Sequence, residues 1–294
     1  MTLYAVRHRT RFVYEKPVSF ARCNLRLKPI AWPGQKLVEH RITVHPGGQL
    51  TQAPRHFGLV NTTRLVLPGA TRELDIVSES RLEVSRLPET AWESDFDIAT
   101  IARMARESDD VSELAPANFL YPSAFIPESE AIAHWSAEVL APNRPAFSAA
   151  LDLSLKIQSE FAFDPDATKT ETLPETAFAA RAGVCQDFAQ IMICALRAAG
   201  VPAAYASGYI RTIPPEGQQR LQGADATHGW VLAWCGPARG WIGFDPTNGI
   251  IMGGDHILMA VGRDYLDIAP IDGVFTGYGA QDILVEVDVE PIEA

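Results

Sequence analysis

From Tyr4 to about Leu87, apolar and polar residues alternate at period 2. "LYAVRHRTRFVYE", "LVEHRITVHP", "RLVLPG" and "RELDIVSESRLEVSRLP" each set one apolar face against one polar face, with Gly and Pro between the runs. That alternation predicts antiparallel strands packed on one side and solvated on the other, an N-terminal antiparallel β-sandwich domain over residues 1–90. At "PETAWESDFDIATIARMARESDD" the pattern turns polar and mixed, and residues 91–125 are expected to be a linker to a second domain over 126–294.

In that second part the period changes. "PESEAIAHWSAEVLA" puts Ile132, Trp135, Val139 and Leu140 on one helix face, with Pro127 and Glu128 suited to its first turn, and "AFSAALDLSLKIQSEFAF" reads as another helix. In "ARAGVCQDFAQIMICALRAAGVP", Phe188, Ile191, Met192, Ala195, Leu196 and Ala199 follow the i, i+3, i+4, i+7 rule. Gly200 suits the end of that helix, Pro202 forbids its continuation, and Gly183 breaks any earlier one, so Cys185 falls in the first turn. Strand text returns in "AAYASGYIRT", "HGWVLAW", "GWIGFDP" and "DILVEVDVE", the last a strand with a solvated acidic face. Strands, then helices, then strands predict an α+β second domain.

The 294 residues suffice for two cored domains. With 25 basic against 36 acidic residues, the net charge of −11 argues against nucleic acid as a partner. The N-terminus shows no continuous apolar core of a signal peptide, and no run is long enough to span a membrane, so a cytoplasmic location without membrane partners is expected. The four cysteines, Cys23, Cys185, Cys194 and Cys235, are too scattered for a zinc ribbon or redox dithiol.

Cys185 differs from the other three by its place. A first-turn side chain meets the positive end of the helix dipole and N–H groups that can receive an oxyanion, which suits a nucleophile. A base lies in "ATHGWVLAWCGPARGWIGFDPTNG": folding this segment as a hairpin through "CGPARG" brings Asp245, closing the second strand, to within a residue or two of His228, opening the first. Cys185, His228 and Asp245 then supply nucleophile, base and orienting group for acyl transfer.

These segments resemble the bacterial transglutaminase-like cysteine protease family, which pairs a transglutaminase-type core with a β-rich N-terminal domain. "RAGVCQDFA" resembles its nucleophile segment, "GVPAAYASGYI" the following strand, and "THGWVLAW" and "GWIGFDPTNG" its histidine and aspartate strands. "GRDYLDIAPIDGVFTG" resembles its C-terminal signature and "RTRFVYEKPVSFARCNLRLKP" the opening of its N-terminal domain. The resemblance implies an α+β, papain-like/transglutaminase-like catalytic core with Cys185, His228 and Asp245 as the triad. Two departures stand out. Gly229 replaces the family's common Ala, which is expected to loosen the strand, and no Gln precedes Cys185 at a papain-like distance, so its own backbone N–H is the expected oxyanion donor.

Gln186 and Asp187 are candidates for orienting substrate, although a first-turn Asp also complements the helix dipole. Trp230, on the His228 face with Trp234, is a candidate cleft residue, although such faces also build cores. His256 has no second ligand at zinc spacing, so neither metal nor cofactor is expected. Arg263, Asp264 and Tyr265 match the family without a physical reason legible in the sequence. The expected activity is hydrolysis of peptide or isopeptide amide bonds through a thioacyl intermediate, water being the default acceptor. Transglutaminase-type amine transfer shares every step until the second nucleophile arrives. A non-catalytic binding module retaining the fold is a third reading, but it has no need of all three residues. The expected partner is a peptide or protein substrate, and oligomeric state is not legible.

Overall fold

The alternating N-terminal text folds as strands β1 (Thr2–Val18), β2 (Phe20–Leu25), β3 (Gln35–His45), β4 (Gln49–Gln52), β5 (Leu59–Val60), β6 (Thr63–Leu67) and β7 (Thr71–Val84). The structure is a computed structural model describing residues 1–53, 58–212 and 226–292. In β1 the alternation is realised directly: Tyr4, Val6, His8 and Thr10 are buried and the residues between them half-exposed. Beyond these strands come α1 (Ile98–Arg106), α2 (Glu130–Ser136), α3 (Ala146–Glu160), β8 (Ala162–Phe163), α4 (Pro174–Ala180), β9 (Ala182–Gly183) and α5 (Cys185–Ala198). The chain then runs through β10 (Ala203–Ile210), β11 (Ala226–Trp234), β12 (Trp241–Asp245), β13 (Ile250–Ile251), β14 (His256–Gly262), α6 (Tyr265–Ile268), β15 (Ile271–Thr276) and β16 (Gln281–Ile292).

Two four-stranded antiparallel sheets, in the orders β16-β1-β7-β3 and β15-β2-β6-β4, share a core of Tyr14, Val18, Leu25, Leu65, Leu74 and Ile76 with their neighbours. A six-stranded antiparallel sheet, β13-β12-β11-β10-β14-β5, is the scaffold of the second part. The apolar stripe of α5 packs on β10 and β11, and α1, α2, α3 and α4 complete that core. On the other side of β10 and β11, Ala204, Ala206, Leu232, Leu258 and Met252 surround Trp230. No helix among the described residues is long and apolar enough to cross a membrane.

The division of the chain at residues 90 and 125 is crossed by the packing. Segment 91–125, expected as a linker, contains α1 and a 3₁₀ turn, Pro116–Phe119, and it buries Ile98, Ile101, Ala105 and Leu120 in the α5 core. An amphipathic helix in polar text reads as linker, but Asp97 caps it by accepting the Thr100 N–H at 2.7 Å. The C-terminal strands β15 and β16 leave the second part and pair with β2 and β1. In the other direction, β5 pairs with β14 as the edge of the six-stranded sheet. Where the sheets meet, Tyr4, Val6, Leu82, Val84, Val287 and Val289 pack on Tyr209, Ile257 and Met259.

Helix α2 is shorter than its pattern suggests. Ser129, rather than Pro127, opens it by accepting the Ile132 N–H, and it ends where the Ser136 hydroxyl bonds back to the Ile132 carbonyl at 2.9 Å. The Arg263-Asp264-Tyr265 run also gains a physical reason. Asp264 caps α6 at Leu266 N and accepts the Phe125 N–H, and Arg263 pairs with Asp267. Tyr265 meets Tyr205 edge to face. The buried Arg197 of α5 donates to the carbonyl oxygens of Phe119, Ala203 and Arg263, fastening the helix to that turn.

Gly229 does more than loosen β11. A Cβ there would lie 2.2 Å from the Tyr205 hydroxyl, so the missing side chain makes room for a buried phenol. Gly229→Ala should force Tyr205 out of place and cost about 1–3 kcal/mol, read as a lower urea midpoint; an unchanged midpoint would mean the ring relaxes freely. Removing residues 1–87 should strip the apolar cover from Ile257, Met259 and Tyr209 and leave β15 and β16 without partners. The remaining fragment is expected to bind an apolar dye and self-associate, and a monomeric fragment with a cooperative melt would contradict that expectation.

Candidate active site

Cys185 opens α5 because the residues around it fix the start of that helix. Asp187 turns back to accept the Val184 N–H at 2.9 Å and the Thr168 hydroxyl at 2.6 Å. Its carboxylate stands 2.6 Å from where a Cβ of Gly183 would be, so only glycine fits before the turn. Cys185 is half-buried, whereas Cys23, Cys194 and Cys235 are buried. Burial pushes the Cys23 and Cys194 thiols up to about 11 and the Cys235 thiol up to about 12.

The hairpin arithmetic places the other two groups. Val231 faces Phe244 across β11 and β12, which sets Asp245 beside the position of Trp230 and on the face His228 shares. His228 Nε2 lies 2.7 Å from Asp245 Oδ2. Asp245 is 0% exposed. Its Oδ1 accepts the backbone N–H groups of Thr247 and Asn248 at 3.0 and 3.2 Å, and its Oδ2 accepts Asn248 Nδ2 at 2.7 Å. His256 Nε2 is 3.2 Å from that same oxygen.

The electrostatics follow from these contacts. Burial works against a charged His228, but the hydrogen bonds to Asp245 and to Cys185 and their electrostatic attraction outweigh burial and raise its pKa to about 10. Burial alone would push the Asp245 carboxyl up, yet the His228, His256 and Asn248 donors hold it far below the usual carboxylate range.

The three expected substrate contacts fare differently. Trp230 is 0% exposed. It stacks on His228 with ring centroids 5.9 Å apart and crosses His256 at 5.2 Å, so it is a wall beneath the site and no part of an open cleft. Strand alternation identifies its face but not which face meets water. Asp187 is buried and spent on the helix start. Gln186 is half-buried, and its amide donates to the Thr170 carbonyl at 2.7 Å. Sequence reasoning missed Asn248, which the Asp245 turn brings in, and weighed His256 only as a metal ligand, although it stands out as the one polar side chain in "HILMAVG". It also missed Tyr205, a buried phenol coupled electrostatically to Cys185.

His228, Asp245 and His256 bring their nitrogen and oxygen atoms within 4.8 Å of one another, a group to be tested for metal binding. Ligands on a tetrahedral zinc ion stand about 3.3 Å apart, given bonds of about 2.0–2.1 Å. The 2.7 Å approach of His228 to Asp245 is too close for that and suits a charge-assisted hydrogen bond. His256 Nδ1 accepts the Gly253 N–H, which leaves its proton on Nε2, facing Asp245. The cluster is a proton network and does not fit an ion.

Comparison with known proteins bears on the family and the fold. Residues 4–83 match the bacterial transglutaminase-like N-terminal region, and residues 133–246 match the transglutaminase-like superfamily. An uncharacterised protein of Mycobacterium tuberculosis is 33% identical over 99% of this chain and 93% of its own length. A protein-glutamine gamma-glutamyltransferase of Pseudomonas aeruginosa is 33% identical over 38% of this chain and 17% of its own length. Among solved structures, a candidate cysteine protease from Cytophaga hutchinsonii shares the fold with a TM-score of 0.76 at 17% identity, over 100% of this chain and 91% of that one. The chain therefore belongs to the bacterial transglutaminase-like family, with a transglutaminase-like core of mixed α/β type behind a β-rich N-terminal region.

Proposed function

We propose that the protein is a cysteine-nucleophile enzyme that cleaves peptide or isopeptide amide bonds, with Cys185, His228 and Asp245 as nucleophile, base and orienting group. The observation that carries this reading is a buried imidazole 2.7 Å from a buried carboxylate and hydrogen-bonded to a half-buried thiol at a helix start. His228 Nε2 is taken by Asp245, which leaves Nδ1 for Cys185, and in the charged imidazole Nδ1 carries the proton that the thiol has given up. The thiolate attacks the carbonyl carbon, and the oxyanion is met by the free N–H groups of the first turn of α5. The proton on Nδ1 passes to the leaving nitrogen as the C–N bond breaks, which leaves a thioester. Water then gives its proton to His228 and attacks; the acid is released and the thiol re-forms.

Amine transfer is the second reading, favoured by the local similarity to the Pseudomonas aeruginosa glutamyltransferase. A fluorescent primary amine offered with a glutamine-rich protein separates the two. Hydrolysis predicts newly freed amino groups from cut peptide or isopeptide bonds without incorporation of the label, and stable incorporation would instead establish transfer.

Iodoacetamide near neutral pH should alkylate Cys185 ahead of Cys23, Cys194 and Cys235, whose thiols are buried and stay protonated there. Peptide mapping checks this, and label spread evenly over the four would remove the nucleophile from the proposal.

A raised His228 has a stability consequence with a definite sign. Its contribution is complete below the ordinary imidazole value of 6.5 and is lost as pH rises towards about 10. Asp245, held low, contributes fully above 3.8 and loses its contribution on acidification. Ring NMR should find His228 still protonated at pH 8 in the wild type. Asp245→Asn should bring its titration down by about 1–3 units and slow Cys185 alkylation. A neutral His228 at pH 8 in the wild type would contradict the charge assignment.

A further inference from the structure

His256 lies outside the triad and is 1% exposed. Its two ring nitrogens have different work. Nδ1 accepts the Gly253 N–H at 3.3 Å, while the Gly253 carbonyl accepts the His256 N–H, so the loop before β14 closes on its own histidine. That reciprocal bond fixes the tautomer with the proton on Nε2, 3.2 Å from Asp245 Oδ2. Asp245 Oδ2 thus sits among three side-chain donors, His228, Asn248 and His256. A carboxylate free to turn about its Cβ–Cγ bond would offer His228 a shifting acceptor; one more donor from a third direction restrains the turn.

The backbone that carries His256 is itself held from the N-terminal region. Arg86 Nη1 donates to the carbonyl oxygens of His256 and Gly253 at 3.0 and 3.2 Å. Gln35 accepts the Leu258 N–H at 2.9 Å and donates to the Leu258 carbonyl at 2.7 Å, the pairing an extra strand would make. Tyr4 donates to Asp255 at 3.1 Å. Three side chains from the N-terminal strands and their margin therefore grip residues 253–258.

We propose that His256 is a positioning residue for the reaction, donating a fixed Nε2–H that locks the Asp245 carboxylate towards His228, and that Arg86 and Gln35 set its place. This rests on the reading of Cys185, His228 and Asp245 as the triad. Through His256 the N-terminal region becomes a working part of the site, four contacts removed from the sulfur: Arg86, His256, Asp245, His228.

The test compares His256→Met, which keeps an unbranched side chain and loses the donor, with His256→Gln, which keeps an N–H. The readout is the rate of Cys185 alkylation by iodoacetamide across pH 5–9 in the full chain, with melting curves alongside. Loss of a donor to a buried charge predicts a rate about 10- to 100-fold lower for the Met variant, with the Gln variant recovering to within about threefold of wild type. Wild-type rates in the Met variant, or equal losses in both variants at equal melting temperature, would overturn the proposal, since only packing would then matter. If the Met variant does not fold, ¹⁵N NMR of the wild type decides. A proton on Nε2 of His256 coupled to Asp245 supports the role, and a proton on Nδ1 sinks it. Failure of selective Cys185 labelling in the wild type would count against the triad reading alone, because the His256 tautomer and its bond to Asp245 are measured without reference to the thiol.

Discussion

An ionised carboxylate with no exposed surface is the constraint on which this fold turns. Burying the charge of Asp245 is costly in an apolar interior unless its lone pairs are filled by donors. The chain supplies five: two backbone N–H groups and one amide from the turn after β12, and two imidazoles from β11 and β14. Each donor dictates local structure. The turn needs Gly249 at φ +64 to close, with its N–H returned to the Asp245 carbonyl at 2.8 Å. The two histidines come from strands that are not neighbours, separated in the sheet by β10, so the sheet must curl for both to reach one oxygen.

Glycine and tryptophan make that curl possible. At Gly208 a Cβ would lie 1.9 Å from the Ile257 carbonyl and 2.7 Å from the Trp230 ring, so β10 and β14 approach only because it is absent. The pairing register of these strands shifts at the same place. Trp230 fills the inside of the bend, stacks on His228 and meets His256 in a T-shaped contact, with its indole N–H on the Met252 sulfur at 3.2 Å. The apolar packing and the charged network are therefore one construction, since the ring that fills the core also fixes the angles of the imidazoles.

Local periodicity carried much of this into view. The 3.6-residue stripe of α5 put Cys185 at a helix start, and strand alternation with a short turn put His228 near Asp245, since both depend on neighbours in sequence. The partnerships that periodicity cannot encode were not legible. Alternation in "DILVEVDVE" marks a strand but does not say that it returns to β1, nearly the whole chain away. Polar text around α1 hid an amphipathic helix, because its buried face is only Ile98, Ile101, Ala102 and Ala105. Trp230 and Asp187 were placed on the correct elements, but exposure and partnering belong to the tertiary fold. His256 carried a faint signal, a lone imidazole in a wholly apolar strand, which physical cost alone makes conspicuous.

The energetics explain why such a network is informative about chemistry. A buried ion pair is weak evidence for stability, since well-packed apolar residues of the same volume often serve the fold as well or better. A carboxylate with five donors, a charged imidazole and a second imidazole of fixed tautomer would be an expensive way to hold two strands together. The arrangement does what an apolar core cannot: it favours the charged form of His228, raising its pKa through Asp245 and Cys185, beside a half-buried sulfur. The side chains that hold residues 253–258, Arg86, Gln35 and Tyr4, come from the opposite part of the chain. The N-terminal sheets thus meet the core at the place where a small shift of backbone would be felt by the carboxylate. An apolar interface alone could join the two parts, as Val6, Leu82 and Val289 already do against Ile257 and Met259. The polar grip beside it adds direction to that adhesion, and direction is what a fixed hydrogen bond to Asp245 requires.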